Sequence, residues 1–107
     1  MVHVDTFARD RLPPREQWPR LHFDLPELRY PERLNCATVL LDDAVAEGHG
    51  ERPAILTEAG SISYRELLAR ANRIANVLQG AGVVPGNRVL LRGHNNPELY
   101  ACWLAVM

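Results

Sequence analysis

Lysine is absent from the 107 residues of this chain, and all 12 of its basic residues are arginine. Schiff-base chemistry and the phosphate contact of a P-loop both need a lysine, so neither can come from this chain. The arginines are interspersed with 13 acidic residues, which leaves a formal net charge of −1. Because no basic stripe forms, we expect no nucleic-acid partner.

Cysteine and long apolar runs are also scarce. Cys36 and Cys102 form no CxxC pair, and we interpret both as reduced core residues of a cytoplasmic protein. The first residues, MVHVDTFARDR, lack the apolar core of a secretory signal. The longest apolar run, LYACWLAVM at residues 99–107, is far shorter than a membrane span. We therefore expect no membrane partner.

Proline is unevenly distributed, because five of the eight prolines lie in residues 1–34. Proline removes an amide donor and disfavours helix in the residue before it. We therefore predict an irregular N-terminal arm over residues 1–34, with one helical turn at PREQW. Trp18, Phe23 and Tyr30 are spaced along this arm, and we expect them to anchor it on a surface. A disordered terminus is the alternative.

Residues 35–107 have the pattern of an incomplete α/β subdomain that begins with a helix and a hairpin. In NCATVLLDDAVAEGHG, Asn35 can cap the start of a helix, and Gly48 stands where a C-cap glycine belongs. The stretch RPAILTEAGSISY predicts two short strands joined by a turn at EAGS. Apolar residues recur at helical spacing in the first helix: Val39, Leu40, Ala44 and Val45.

The stretch SYRELLARANRIANVLQG predicts a second helix. Ser63 and Glu66 have the spacing of a capping box, and Gly80 and Gly82 are expected to end the helix. Its apolar stripe consists of Leu67, Leu68, Ala71, Ile74, Ala75 and Leu78.

A turn, a strand and a third helix follow. Pro85 and Gly86 suit the two central positions of a type II turn, and RVLLRG, residues 88–93, predicts a buried strand. Asn96 and Pro97 suit the N-cap and the first position of the last helix. No glycine, proline or basic turn ends this helix. A complete domain seldom ends on exposed apolar side chains such as Trp103, Leu104 and Val106, so we expect the helix to be unfinished.

The glycines and the possible metal ligands indicate no site. The stretch GAGVVPG follows a helix and precedes a predicted strand, the reverse of a dinucleotide-binding loop, so we interpret it as a helix cap and a turn. The two cysteines and the four histidines show no metal-ligand spacing. The histidines are His3, His22, His49 and His94.

Two polar stretches are candidate sites. Asp42 and Asp43 could be imagined as an acid–base pair. They are adjacent on a predicted helix and point about 100° apart, so they do not form a paired carboxylate site. We interpret them as part of a solvated face. The stretch GHNNPE would place His94, Asn95 and Asn96 at the carboxyl end of a strand, where ligands gather in α/β sheets. A ligand-facing loop is one interpretation, and we favour the other, a helix cap with Asn95 holding the turn. We assign no catalytic, cofactor-binding or metal-ligating residue to this chain.

The order of residues resembles the N-terminal part of the adenylate-forming superfamily, the AMP-dependent acyl-CoA synthetases and ligases. The matching pattern is Tyr64, Glu66, Leu67, Ala71, Asn72, Ala75, Leu78, Gly82, Val83, Gly86, Asn87, Arg88 and Val89. The family usually has aspartate where this chain has Asn87, a mild departure because both residues suit a turn. The stretches RLNCATVLLDDAVAEGHGERPAI and LLRGHNNPELYACWLAVM look most like benzoate- and 2-aminobenzoate-CoA ligases. The proline-rich arm fits the latter.

This resemblance implies a two-step reaction, in which a carboxylate attacks ATP and coenzyme A then displaces AMP. It also implies that ATP, Mg²⁺ and coenzyme A serve the full-length enzyme and that a small aromatic carboxylate is its substrate. The family's phosphate loop, magnesium ligand and catalytic lysine have no counterparts here. We therefore expect an inactive N-terminal fragment whose partner is the remainder of its own domain.

Two alternatives remain open at this point. The chain could begin a different adenylate-forming enzyme, such as a fatty acyl-CoA ligase or a peptide-synthetase adenylation domain. It could instead be a small binding module that associates with itself through its apolar end helix. The identity of the acid and the oligomeric state do not follow from the residues.

Overall fold

A computed structural model describes residues 3–107 and divides them into two compact units. The first unit contains residues 3–34 and 84–88, and the second contains residues 35–83 and 89–107. Within the described residues, no helix combines the length and the apolarity that crossing a membrane requires.

The first unit consists of short helical turns joined by irregular chain. Helix α1 covers Phe7–Asp10, and single 3-10 turns cover Arg15–Gln17 and Pro26–Leu28. The turn predicted at PREQW is confirmed at Arg15–Gln17, whereas the other two were not predicted. The prolines explain why no turn extends further, since each removes an amide donor from the chain.

Three aromatic side chains of the arm, Trp18, Phe23 and Tyr30, contact other residues of the arm. The indole nitrogen of Trp18 donates a hydrogen bond of 2.7 Å to the carbonyl of Pro13. The rings of Phe23 and Tyr30 meet edge to face, with centroids 6.0 Å apart. All three side chains are about half exposed. Their anchoring on another surface therefore stays a prediction.

The second unit begins with a π-helical segment, residues 36–49, which contains π turns at Thr38–Asp42 and Val45–His49. The predicted cap is confirmed, because the Asn35 side chain accepts a hydrogen bond of 2.9 Å from the amide of Thr38. Gly48 has a φ of 86°, as a terminating glycine should.

The predicted apolar face of this first helix was partly wrong. Leu41 is the buried residue, whereas Val39 and Leu40 are about half exposed. The prediction assumed a regular 3.6-residue repeat, and the wider π turns change which side chains face the neighbouring helix.

The predicted hairpin is confirmed. Strand β1 (Pro53–Thr57) pairs antiparallel with strand β2 (Gly60–Ser63), with Ile55 opposite Ile62. The register shifts by one residue between Pro53 and Ile55, which makes Ala54 a bulge. Gly60 was predicted in the turn and instead begins β2.

Helix α2 (Tyr64–Gly80) begins and ends as the sequence predicts. The amide of Glu66 donates to the Ser63 hydroxyl over 3.2 Å, and the Glu66 carboxylate accepts from the amide of Ser63 over 2.9 Å, which completes the capping box. At the other end, Gly82 has a φ of 84°. The amide of Val83 donates to the carbonyl of Leu78 over 3.0 Å, the long bond of a Schellman motif.

The strand predicted at RVLLRG was wrong, because the described residues contain one two-stranded sheet, β1 with β2, and residues 88–93 are not in it. A strand exists only where its amides and carbonyls meet a neighbouring strand. The side chains still alternate, with Val89 and Leu91 half-buried and Leu90 93% exposed. The pattern of a strand is present without a partner among the described residues. The fold is thus helix, hairpin, helix, irregular segment and helix.

Helix α3 (Pro97–Val106) completes the small core of the second unit. The Asn96 side chain accepts from the amide of Leu99 over 3.0 Å, which confirms the predicted cap. Leu104 was expected to be exposed and is 7% exposed instead, because it packs against α2 and the π-helical segment. Trp103 is about half exposed, as predicted. The buried core residues are Leu41, Leu67, Ala71, Ala101 and Leu104.

Candidate functional site

A groove of about 480 Å³ opens on the second unit. It is bordered by β1, the π-helical segment and the first turns of α3. Its volume lies within the range of small-molecule pockets. The lining residues are Leu40, Leu41, Ala54, Ile55, Leu56, Thr57, Tyr64, Leu67, Asn95, Asn96, Tyr100, Trp103 and Leu104.

Several polar side chains that line this groove form hydrogen bonds within the protein. The hydroxyl of Tyr100 donates a hydrogen bond of 3.0 Å to the Asn95 carbonyl oxygen, and the Asn96 side chain caps α3. These contacts confirm the helix cap at Asn96. Both asparagines also line the groove, so the choice between a turn and a ligand-facing loop at Asn95 stays a prediction. Among the described residues, no Asp, Glu, His or Arg side chain lines the groove. The groove can receive an apolar or aromatic surface, and the titratable groups of its described lining are the hydroxyls of Tyr64 and Tyr100.

The remaining candidate residues lie outside this groove. His94 is exposed and does not line the groove, although it directly precedes the lining residues Asn95 and Asn96 in the sequence. Asp42 and Asp43 are both exposed, as predicted for a solvated face. Cys36 and Cys102 are free and half-buried, so neither is the fully buried core residue that the sequence suggested.

A smaller cavity of about 210 Å³ lies where the π-helical segment meets α2 and α3. Asn35 closes one side of it, donating a hydrogen bond of 3.2 Å to the carbonyl of Met107. Asp42 and Asn72 also reach it. Its polar groups are helix-capping or surface groups, so the cavity indicates no chemistry.

The described residues do not fit magnesium or nucleotide phosphates. Magnesium is held by carboxylate oxygens together with substrate phosphates, and no group of three or more His, Cys, Asp and Glu side chains in residues 3–107 could hold a metal ion. Phosphate loops present glycine amides at the start of a helix. Here Gly82 and Gly86 serve a helix end and a turn instead.

Two carboxyl groups, Asp5 and Glu66, have a lowered pKa, and in both the main cause is hydrogen bonding to nearby backbone and side-chain groups. The backbone amide of Ser63, and then its hydroxyl, lower the pKa of Glu66. The backbone amide of Phe7, the side chain of Asn87 and the charge of Arg88 lower the pKa of Asp5. Each carboxylate is held ionised by a cap or a turn, so neither has the raised pKa of a general acid.

Sequence reasoning missed most of the groove. Tyr100 and Trp103 belong to the predicted last helix, and Leu56 belongs to a predicted short strand. These side chains reach one groove because α3 and the hairpin both pack on α2, which no local spacing encodes. The aromatic content of LYACWLAVM was the one available signal.

Comparison with known proteins identifies the family. Residues 42–107 match the family model described as AMP-binding enzyme. This match includes the second unit from Asp42 onward, with the hairpin, α2 and α3, and also the turn at residues 84–88. No solved structure matches the chain.

The curated relatives include ligases that form CoA esters of aromatic acids. A 3-hydroxybenzoate–CoA/4-hydroxybenzoate–CoA ligase of Thauera aromatica is 38% identical over 81 residues, which cover 76% of this chain and 16% of the relative. A 3-hydroxybenzoate–CoA ligase of Aromatoleum sp. (strain CIB) is 36% identical over 74 residues, covering 69% of this chain and 14% of the relative.

Acetyl-coenzyme A synthetase of Burkholderia mallei is 43% identical over 63 residues, which cover 54% of this chain and 10% of the relative. The chain thus spans about one-sixth or less of the length of the relatives it matches. The family match extends over more than half of the chain, and the two hydroxybenzoate ligases align with more than two thirds of it. The chain therefore belongs to the AMP-binding enzyme family.

Proposed function

We propose that this chain is the N-terminal part of an AMP-forming aryl-CoA ligase. The observation that carries the proposal is the 38% identity to a hydroxybenzoate–CoA ligase over 76% of the chain. The family match over residues 42–107 includes the hairpin and the two capped helices, α2 and α3. The fold is consistent with a supporting role, since the described residues that line the groove include no carboxylate, imidazole or guanidinium group.

The proposed reaction has two balanced steps. A carboxylate oxygen attacks the α-phosphorus of ATP, the bond to the β-phosphate oxygen breaks, and pyrophosphate leaves as the acyl-adenylate forms. The sulfur of coenzyme A then attacks the acyl carbon, losing its proton, and AMP leaves with the electron pair of the broken C–O bond. ATP, Mg²⁺ and coenzyme A are requirements of the proposed full-length enzyme, and we expect none of them to be bound by this chain alone.

The substrate that we propose is a small aromatic carboxylate. Hydroxybenzoates are named for the two aryl relatives, whereas the sequence stretches suggested benzoate and 2-aminobenzoate. All four acids share a planar ring and one carboxylate, so a panel of them is the appropriate test. Acetate is the second candidate, because an acetyl-coenzyme A synthetase is 43% identical over 63 residues.

We infer that the chain acts by supporting the remainder of the ligase's N-terminal domain. The apolar rim of the groove, with Leu56 78% and Trp103 47% exposed, is suited to being covered by further chain. A cytoplasmic location is part of the same proposal, and the free state of both cysteines supports it.

A pyrophosphate-release assay tests this function. The 107-residue chain and the product of the longest reading frame that contains it are each incubated with ATP, Mg²⁺, coenzyme A and one acid of the panel. We expect acid-dependent pyrophosphate from the longer protein and none from the 107-residue chain. Turnover by the short chain would refute its proposed inactivity, and the absence of turnover with every acid in the longer protein would refute the ligase assignment.

A further inference from the structure

The first unit contains a close contact between two segments that are 82 residues apart in the sequence. The amides of Val4 and Asp5 both donate to the carbonyl of Pro85, over 2.8 and 3.0 Å. The side-chain amide of Asn87 donates to the Asp5 carboxylate over 2.8 Å. The N-terminal segment therefore lies directly against the turn formed by residues 84–87.

The oxygen and the nitrogen of the Asn87 side-chain amide form different hydrogen bonds. Its oxygen accepts a hydrogen bond of 3.0 Å from the amide of Val84, which closes the turn. Its nitrogen donates to the Asp5 carboxylate. An oxygen must face the Val84 amide and a donor must face a carboxylate, so the orientation of the side-chain amide is determined. Aspartate could close the turn equally well but could not donate to Asp5.

Both oxygens of the Asp5 carboxylate also accept hydrogen bonds. Its second oxygen accepts a hydrogen bond of 2.9 Å from the amide of Phe7 at the start of α1. The guanidinium of Arg88 lies 3.9 Å from the carboxylate and 3.8 Å from the centre of the Phe7 ring, and the guanidinium of Arg11 lies 3.7 Å from the same ring centre. These contacts extend the junction from Asp5 along α1.

We propose that Asp5 and Asn87 form a latch that seats residues 4–11 on the turn at residues 84–88, and that the pairing of one carboxylate with one amide closes it. Two carboxylates at positions 5 and 87 would repel each other. With amides at both positions, each oxygen is needed for the backbone amide of Phe7 or Val84, so two NH₂ groups would face each other. The latch is independent of the proposed ligase activity, since none of its groups is assigned to the chemistry.

Limited trypsin digestion of the 107-residue chain at pH 7.5 tests the latch, with cleavage after Arg9 and Arg11 followed by mass spectrometry. The rate of such cleavage follows the population of the open segment. Asn87→Asp should accelerate cleavage at both sites by about fivefold or more. The double variant Asp5→Asn with Asn87→Asp should return towards the wild-type rate, because the amide introduced at position 5 can donate to the carboxylate introduced at position 87.

Asn76→Asp is the matched control, since it adds the same charge at an exposed position of α2, and it should leave cleavage after Arg9 and Arg11 unchanged. Cleavage after Arg70, within α2, reports unfolding of the second unit. Wild-type rates in Asn87→Asp, or a double variant as sensitive as the single one, would overturn the latch. Equal acceleration after Arg70 would also overturn it, because the effect would then be general unfolding.

Asp5→Asn alone provides a second test that does not alter the turn. It leaves one polar group of the pair without its partner, so we expect faster cleavage after Arg9 and Arg11 than in the wild type. Cleavage at the wild-type rate in this variant would contradict the proposal, whatever the stability of Asn87→Asp.

Discussion

Arg70 of α2 and Glu98 of α3 are joined by an ion pair in which the guanidinium nitrogen lies 2.6 Å from the carboxylate oxygen. The pair connects the middle of one helix to the first turn of the other. Glu98 also faces the positive end of the α3 dipole. The contact therefore joins the two helices that contribute four of the five buried core residues.

A double-mutant cycle of Arg70→Ala and Glu98→Ala should give a coupling free energy of about 0.5 kcal/mol, because the carboxylate is largely exposed and the pair is screened by water. Urea unfolding of the four proteins measures it. Arg73→Ala, an exposed position on α2, is the control and should show no coupling to Glu98→Ala. Fully additive losses for Arg70 and Glu98 would contradict the assigned contact.

Truncation of the core should be costly where burial is nearly complete. Leu67 is 4% exposed and Leu90 is 93% exposed, so the same leucine-to-alanine change compares a packed with a solvated position. We expect Leu67→Ala to lower the free energy of unfolding by about 3 kcal/mol and Leu90→Ala by less than about 0.5 kcal/mol. Denaturant titration distinguishes the two. A loss at Leu90 as large as that at Leu67 would show that Leu90 is packed in solution.

The capping box at α2 predicts a pH dependence of stability. The amide and hydroxyl of Ser63 lower the pKa of Glu66 below its ordinary value of 4.5. A carboxyl whose pKa is lower in the folded state stabilises the fold above its unfolded pKa, and this contribution is lost as the pH falls through the folded pKa. The thermal midpoint should therefore fall more steeply below about pH 4.5 in the wild type than in Glu66→Gln.

Asp43→Asn is the control for this titration, because Asp43 is an exposed carboxylate of the π-helical segment. It should retain the steep wild-type profile. Parallel profiles for the wild type and Glu66→Gln would contradict the role assigned to the box. Ser63→Ala measures the cap independently and should cost about 1 kcal/mol at pH 7.

A glycine can be required by a positive φ or by the close approach of another segment, and Gly86 and Gly48 differ in the second requirement. Both have positive φ, 97° and 86°. A Cβ atom at Gly86 would lie 2.0 Å from the carbonyl oxygen of Asp5, whereas a Cβ at Gly48 would meet no atom within 4 Å. Gly48→Ala should cost about 1 kcal/mol of backbone strain. Gly86→Ala should in addition displace the N-terminal segment.

Trypsin cleavage after Arg11 provides the measurement for this pair. It should accelerate in Gly86→Ala and remain unchanged in Gly48→Ala. Equal behaviour of the two variants would argue against the close approach of residues 4–5 to the turn.

Local signals predicted the parts of the fold that local hydrogen bonds determine. Ser63 with Glu66, Asn96 with Pro97, and the turn at Gly86 each satisfy backbone groups within a few residues, so their spacing is sufficient evidence. The end of α2 at Gly82 is of the same kind. The proposed domain boundary after residue 34 also rests on a local signal, the end of the proline-rich arm, and stays a proposal.

Long-range features could not be predicted in this way. The segment at Val89–Leu91 has strand alternation, but a strand depends on a neighbour that local sequence does not specify. The contact between Asp5 and Asn87 and the groove beside Trp103 depend on the packing of segments far apart in the chain. The π turns at Thr38–Asp42 were missed because π turns are rare and the apolar repeat of the sequence was interpreted with the regular helical period.

The claim that this chain comes from an aryl-CoA ligase is tested most directly by identifying the thioester that the longer protein makes. Mass spectrometry of a mixture containing ATP, Mg²⁺, coenzyme A and equal concentrations of acetate, benzoate, 2-aminobenzoate, 3-hydroxybenzoate and 4-hydroxybenzoate reports every CoA ester at once. The account predicts that an aromatic CoA ester is the main product and that AMP forms in equal amount. Acetyl-CoA as the main product, or an aromatic ester formed with release of ADP, would contradict it.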